Sequence, residues 1–345
     1  MKQALTFALT AALGVAATST LGADRHLDDS ALIVTASNTA SNQLMVYDTK
    51  GTLLSAIPTE GQGGVSGNAG GIASDRGRLA VVNFGSGSVS LFSYDLGHRT
   101  IRLDQVVQAL GSPVSVALAH DHLYILTTTS VESHAFRPRG VAESADGAAA
   151  LLHADGTAAQ VGVVDDRLVL TEKSNAIETV RLNASGAING TATLVTNIPA
   201  NVNAPFGLAT RGNDAYVTIA HANEVSLVRD GTVLTVTGSG TQKAPCWVAL
   251  DGPFLFSANS PSQSASRYAV YGQKIVLDAE VVANFEGNPT DIAYRTGLAA
   301  VIDSDGTVSH VSVFAVDEDG NLTLNGSATI NNKATNGVQV LSSGN

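Results

Sequence analysis

The sequence has one cysteine and one tryptophan, and only 14% of its 345 residues carry a charged side chain. Because Cys246 is the sole cysteine, no disulfide can form within the chain, and its stability must come from packing and sheet hydrogen bonds. The 19 basic residues are outnumbered by 30 acidic residues. The resulting net charge of −11 argues against nucleic acid or anionic lipid as a partner.

A long apolar run is also missing. The uncharged stretch of residues 4–17 is shorter than the roughly 20 residues that cross a bilayer, and no later segment is long enough. It follows Lys2 and precedes small residues that end at Ala23, an order typical of a cleaved secretory signal. The sequence therefore predicts a signal peptide over 1–23, a linker over 24–30 and one secreted or periplasmic domain over 31–345.

What the sequence does have is an internal repeat, with copies that start about 41 to 47 residues apart, the period of a four-stranded propeller blade. Each copy opens with two short apolar segments separated by a turn, such as 114–120 and 122–128. A third segment alternates apolar and polar residues, as in 88–95, and a Gly turn leads to a fourth, as in 232–238.

The two ends of the chain complete the repeat. Residues 31–57 contain second, third and fourth segments without a first, and residues 337–343 supply the missing one. Six full copies and one split copy predict an all-β, seven-bladed propeller whose ring is closed by pairing of the N- and C-terminal strands. The alternative is an open β-sandwich of many short strands.

In such a ring, the loops that enter the first strands and leave the second strands lie on one face, around the channel mouth. Loops on a rigid scaffold commonly bind ligands, and this face is polar enough for a small oxygenated ligand. The predicted ligand-binding residues are Asn83, Asn259, Asp303, Phe206 and Trp247. The alternatives are that the Asn side chains satisfy turn backbone and that Trp247 packs between blades.

Three further side chains near this mouth suit acid–base chemistry. Glu172 ends a second strand beside Lys173, and His221 lies at the same point of the next copy. The alternatives are an exposed Glu172–Lys173 ion pair and a hydrogen-bonded loop histidine. The calcium-like segments 303–306 and 317–320 are incomplete and no zinc signature is present, so we expect no metal and no cofactor.

Across nearly all of the chain after residue 23, the sequence resembles the lactonase-type propeller family. The resemblance is carried by residues 167–182, 204–228, 244–260 and 288–304. The family includes the propeller form of bacterial 6-phosphogluconolactonase and the fungal carboxymuconate lactonising enzyme. The sequence is most similar to exported members described as carboxymuconate cyclase-like.

The resemblance implies a site in which a glutamate works with a histidine and arginines of neighbouring blades. Glu172 matches the glutamate, whereas Gln160 stands where the histidine is expected and Ala220-His221 where an arginine is expected. Two functions follow. The first is a monomeric exported protein that binds a small molecule, carbohydrate or protein. The alternative is a lactonase or lactonising enzyme with Glu172 as acid/base and Lys173 or His221 stabilising charge.

Overall fold

A computed structural model of the protein describes residues 30–138, 140–196 and 203–343. These residues form seven antiparallel sheets around a central channel, six with four strands and one with five. The predicted seven-bladed β-propeller is thereby confirmed. The predicted signal peptide and nearly all of the predicted linker lie outside the described residues.

The blades are numbered I to VI along the chain, and blade VII is built from both ends of it. Blades I to III contain the following strands, from the channel outwards: Ile72–Asp75, Arg78–Asn83, Ser88–Asp95 and Thr100–Gln108; Pro113–Ala119, His122–Thr127, Ser130–Arg137, Gly140–Val141 and Gly147–Ala150; Ala158–Val164, Arg167–Glu172, Ala176–Arg181 and Thr193–Leu194. Blades IV to VII contain these: Pro205–Arg211, Asp214–Ile219, Glu224–Arg229 and Thr232–Gly238; Pro245–Asp251, Phe254–Asn259, Ser264–Tyr271 and Lys274–Asn284; Asn288–Arg295, Leu298–Ser304, Ser309–Val316 and Leu322–Ile330; Asn336–Leu341, Leu32–Ala36, Gln43–Tyr47 and Leu53–Pro58.

The core lies between the faces of adjacent blades. Because both faces of each sheet are covered, the second strands are apolar on both sides, and Leu168, Val169 and Leu170 in succession are buried. Leu168 and Leu170 pack against Tyr124 and Leu126 of blade II, whereas Val169 packs against blade IV. Burial of apolar surface between successive blades is therefore the force that holds the ring together.

The ring is closed in the way that the split repeat predicts. The strand Asn336–Leu341 pairs antiparallel with Leu32–Ala36, so that Leu341 lies opposite Leu32 and Val338 opposite Thr35. It also contacts the inner strands of blades VI and I. The two ends of the propeller thus belong to one sheet, and no blade is left with an uncovered face.

The inner strands share a local signature at their first residues. Three begin with a proline, namely Pro113, Pro205 and Pro245, and in a fourth Pro289 is the second residue. A proline can occupy the first position of a strand because it has no N–H to contribute to the ladder. An irregularity in the pairing follows within three residues in each case.

Blade II departs from the repeat in its outer part. Instead of one fourth strand, the short strands Gly140–Val141 and Gly147–Ala150 both pair with Ser130–Arg137. The helical content of the described residues is one 3₁₀ turn, Ala220–Ala222, and none of their helices is long and apolar enough to cross a membrane.

Candidate functional site

Three of the predicted site residues meet at the channel mouth. Phe206 and Trp247, on the inner strands of blades IV and V, stand edge to face with ring centroids 5.2 Å apart. The Lys173 ammonium lies 5.7 Å from the Phe206 ring centroid and donates a hydrogen bond to the Gly67 carbonyl of the segment that enters blade I. We call residues 67–71 the cap segment. Burial lowers the pKa of Lys173.

The cap segment covers the mouth. The Trp247 Nε1 donates to the Asn68 carbonyl at 3.1 Å, and the Ala69 amide donates to the Ala159 carbonyl at 3.1 Å. The Asn68 side chain exchanges hydrogen bonds with Asn336 of blade VII at 2.8 and 3.2 Å. The chain itself therefore closes the face on which the sequence predicts ligand binding, and both aromatic rings are more than 90% buried.

Below the cap segment, the channel contains a cavity of about 180 Å³ lined by Trp247, Asp291, Tyr294 and Gln339 among others. A second cavity of about 280 Å³ shares part of this lining and extends to Ser74 and Thr210, toward the far ends of the inner strands. Several inner strands become half-buried at these far ends. The channel is thus covered at the predicted mouth and more open at the opposite end.

Polar side chains in the channel join neighbouring inner strands, which belong to different sheets. Gln160 binds the backbone of Leu208 twice, donating at 3.0 Å and accepting at 2.6 Å. Asp291 accepts from its neighbour's amide at 2.8 Å and from the Val338 amide of blade VII at 3.2 Å. Burial raises the pKa of Asp291 to about 7, although these two amides favour its charged form.

Asn83 and Asn259 lie away from this cavity, inside the blades. The Asn83 carboxamide accepts from Thr59 at 2.7 Å and donates to Ser90 at 2.7 Å. Asn259 donates to Ser266 at 2.8 Å. Both side chains are fully buried and tie strands together, so a role in ligand binding stays a prediction for them.

Asp303 and His221, two further predicted residues, occupy different surroundings. Asp303 is buried in blade VI and contacts the His310 Nδ1 at 2.8 Å, while the His310 Nε2 lies 3.4 Å from the exposed carboxylate of Glu286. Burial raises the pKa of Asp303, and His310 opposes the effect. His221 is exposed in the 3₁₀ turn of blade IV. Neither residue lines the channel cavities described above.

Glu172 faces the cleft between blades II and III rather than the channel. Its side chain is fully buried, and neither carboxylate oxygen has a hydrogen-bond partner among the described residues. Glu178, on the third strand of blade III, is also fully buried beside it and accepts from the Leu152 amide at 3.0 Å. Burial raises the pKa of Glu172 to about 9, and the Glu178 carboxyl adds to the effect.

A histidine completes this group. His153, in the exposed segment that crosses from blade II to blade III, places a ring nitrogen within 4.8 Å of a carboxylate oxygen of both Glu172 and Glu178. We call these three residues the cleft cluster. In the described part of the chain, no lysine or arginine forms an ion pair with Glu172.

The sequence identifies only one member of the cleft cluster. Glu178 leaves a signal, because it occupies an apolar position of an alternating strand, between Ala176 and Val180. His153 leaves none, since it meets the glutamates only through the packing of two blades. Asp291 interrupts an apolar inner strand in the same way as Glu178, which is the sequence signal for this residue.

The chain is similar in fold to solved lactonase-type propellers. A putative 6-phosphogluconolactonase from Bacteroides uniformis has 15% sequence identity and a TM-score of 0.66, with 90% of this chain and 99% of that chain covered. A periplasmic gluconolactonase from Pseudomonas aeruginosa has 16% identity, a TM-score of 0.61 and the same coverage. A protein from Lactobacillus plantarum has 15% identity, a TM-score of 0.66 and, again, the same coverage.

No protein-family model matches the chain, and a search of curated proteins gave no match. At these identities the similarity concerns the fold. The resemblance predicted from the sequence, to lactonase-type seven-bladed propellers, is confirmed at that level.

Proposed function

We propose that the protein is an exported propeller that binds a small, oxygenated molecule of sugar or sugar-lactone size in the central channel. The observation that supports this most is the cavity below the cap segment, which is lined by Trp247 together with Gln160, Gln339 and Asp291. Aromatic faces bind the apolar side of sugar rings, and a few fixed polar groups orient such ligands. Export is supported by the pattern of residues 1–23 and by the similarity to a periplasmic gluconolactonase.

In this proposal the binding site lies one step further along the channel than the sequence predicts. Trp247 belongs to both the predicted site and the cavity lining, whereas Asp291 is new. A charge-assisted hydrogen bond from a ligand hydroxyl to the Asp291 carboxylate contributes about 1.5–3 kcal/mol. The cap segment then forms the floor of the site, and the ligand enters from the far end.

Trp247 offers a direct measurement, because it is the only tryptophan of the chain. We expect its fluorescence to change saturably on titration with one member of a panel of sugars, aldonolactones and sugar acids. Asp291→Asn should weaken that binding at least about tenfold. Asp303→Asn, a matched buried aspartate outside the channel, should leave it unchanged. Channel binding would be contradicted if Asp291→Asn bound the compound as tightly as the wild type, or if no compound changed the Trp247 fluorescence.

Lactone opening with Glu172 as acid or base is the second candidate function. It is favoured by the presence of Glu178 beside Glu172, because paired carboxyl groups in different environments are suited to acid–base work. The wild type and Glu172→Gln should be compared on a lactone panel by pH-stat titration. A rate lost in the variant supports catalysis, and equal rates would exclude Glu172 from it. Membership of the carboxymuconate-type branch stays a prediction.

A further inference from the structure

The cleft cluster contains more buried acid than the fold requires. Glu172 and Glu178 are both fully buried, and neither oxygen of Glu172 has a hydrogen-bond partner among the described residues. One oxygen of each glutamate and a ring nitrogen of His153 lie within 4.8 Å of one another. An uncompensated carboxylate is costly to bury, because it loses its hydration without gaining a partner. Such a pair needs either a shared proton or a cation.

The equivalent positions of other blades show what the fold itself needs there. In blade I the same two positions carry Asn83 and Ser90, joined at 2.7 Å, and in blade V they carry Asn259 and Ser266, joined at 2.8 Å. A neutral amide–hydroxyl pair therefore occupies these two positions in two blades of the same ring. The two carboxyl groups of blade III are not explained by packing.

We propose that the cleft cluster binds one divalent transition-metal ion of the Zn²⁺ type, with Glu172, Glu178 and His153 as its protein ligands. Two carboxylates and one imidazole form a donor set that Zn²⁺ accepts, whereas Ca²⁺ and Mg²⁺ favour oxygen ligands alone. With metal–ligand distances of about 2.0–2.2 Å, donor atoms around one ion lie about 3–3.5 Å apart. The separation of at most 4.8 Å is closed by small rotations of three side chains.

The segment that carries His153 is held in place on both sides. Ahead of it, the Leu152 amide donates to the Glu178 carboxylate, which leaves the remaining lone pairs of Glu178 for an ion. Behind it, the Thr157 hydroxyl donates to Asp155 at 2.6 Å and lies 2.9 Å from the Ser174 hydroxyl. Hydrogen bonds of this kind orient metal ligands in advance of binding. His153 itself is exposed, so an ion reaches the cluster from solvent.

The inference goes beyond both functions proposed above and depends on neither. It also competes with one detail of the second, since a carboxylate bound to Zn²⁺ cannot at the same time hold the proton of a general acid. The cation and the shared proton are thus two occupants of one site, and a single experiment separates them.

The chain should be freed of metal with a chelator, dialysed and titrated with ZnCl₂ by calorimetry. We expect one ion per chain. His153→Ala, on an exposed residue, should weaken the affinity at least about tenfold, because even second-shell losses cost 10- to 100-fold. Glu172→Gln and Glu178→Gln should do the same. Glu132→Gln is the matched control, because Glu132 is a buried glutamate at the position of blade II that Glu178 occupies in blade III.

Binding by the wild type and Glu132→Gln, together with its loss in the three cluster variants, supports the site. Absence of saturable binding by the wild type would show that the pair keeps a proton instead, and would overturn the proposal. Binding that survives His153→Ala and Glu178→Gln would overturn it equally, because the ion would then lie elsewhere. Ligand binding followed by Trp247 fluorescence is independent of both outcomes.

Discussion

The cleft between blades I and II and the cleft between blades II and III have the same backbone arrangement. In the first, the Leu110 amide donates to Glu132 at 3.0 Å, and in the second the Leu152 amide donates to Glu178 at the same distance. The next residue of the crossing segment is Gly111 in the first cleft and His153 in the second. A side chain at Gly111 would meet Thr127 at 3.3 Å, just as His153 lies beside Glu172.

The two clefts differ in the side chains that surround their buried glutamate. Glu132 lies 3.6 Å from the Nε2 of His134, a fully buried histidine of its own strand, and the position that Glu172 occupies in blade III is the neutral Thr127 in blade II. Glu178 instead has a second carboxyl group, Glu172, and a histidine only at the surface. One backbone arrangement therefore supports a self-contained ion pair in one cleft and an uncompensated acid pair in the next. Blade III therefore contains a surplus buried carboxyl group, which packing does not use.

The largest expected effect comes from giving the first cleft the acid pair of the second. Thr127→Glu should destabilise the metal-free protein by about 3–5 kcal/mol, because it buries a carboxylate without a partner and removes a hydroxyl that accepts two backbone N–H groups. Urea unfolding in the presence of a chelator measures this change. Thr129→Glu, at an exposed position of the same turn, should change the stability by less than about 0.5 kcal/mol. Equal effects of the two substitutions would remove the distinction between the clefts.

A smaller effect is expected from making the same substitution in both clefts. Glu132→Gln should cost about 1–3 kcal/mol, since His134 loses its carboxylate partner. Glu178→Gln should cost less than about 1 kcal/mol, because removing a second buried carboxyl group beside Glu172 offsets the weaker acceptor for Leu152. Urea unfolding of the metal-free proteins compares them directly. If Glu178→Gln were the more damaging of the two, the acid pair would be a stabilising feature and not a surplus.

The smallest expected effect is the pH dependence that His134 contributes in the first cleft. Burial lowers the pKa of His134, but its contacts with Glu132 and the Ala142 carbonyl outweigh burial and leave the pKa above its usual value. A histidine whose pKa is higher in the folded state binds protons more tightly there, so its stabilising contribution is complete below pH 6.5 and disappears as the pH rises through the folded-state pKa.

The stability difference between the wild type and His134→Gln should therefore be larger at about pH 5.5 than at about pH 9. Thermal or urea unfolding at both pH values gives the difference. A difference that stays constant, or grows toward high pH, would mean that His134 is not charged in the folded protein.

Much of the fold could be predicted because the repeat is local in sequence. Alternating segments, Asp-Gly turns and a first strand displaced to the far end of the chain define a closed ring before any contact is known. The pairing of Val338 with Thr35 follows directly from that count. The outer strands of blade II were not predicted, since Gly140–Val141 and Gly147–Ala150 are too short to leave a periodic pattern.

The candidate site could be predicted only in part. Phe206, Trp247 and Lys173 were predicted near the mouth and do lie together there, because strand ends are fixed by the repeat. The cap segment covers these three side chains because of the conformation of its glycine-rich loop. At Gly71, a side chain would approach the Asn336 side chain to 2.6 Å, a contact that the sequence does not reveal.

The number of blades, the closure of the ring and the strand that ends at Glu172 can all be predicted from the sequence. Each of them follows from a repeat with a period of about 45 residues. Only the tertiary structure shows that Glu172 faces away from the channel and lies beside Glu178 and His153. It also shows that the channel is covered at one end. The physical reason is that these features arise where two blades or a loop and a ring meet, and such contacts are set by packing between segments that carry no common pattern.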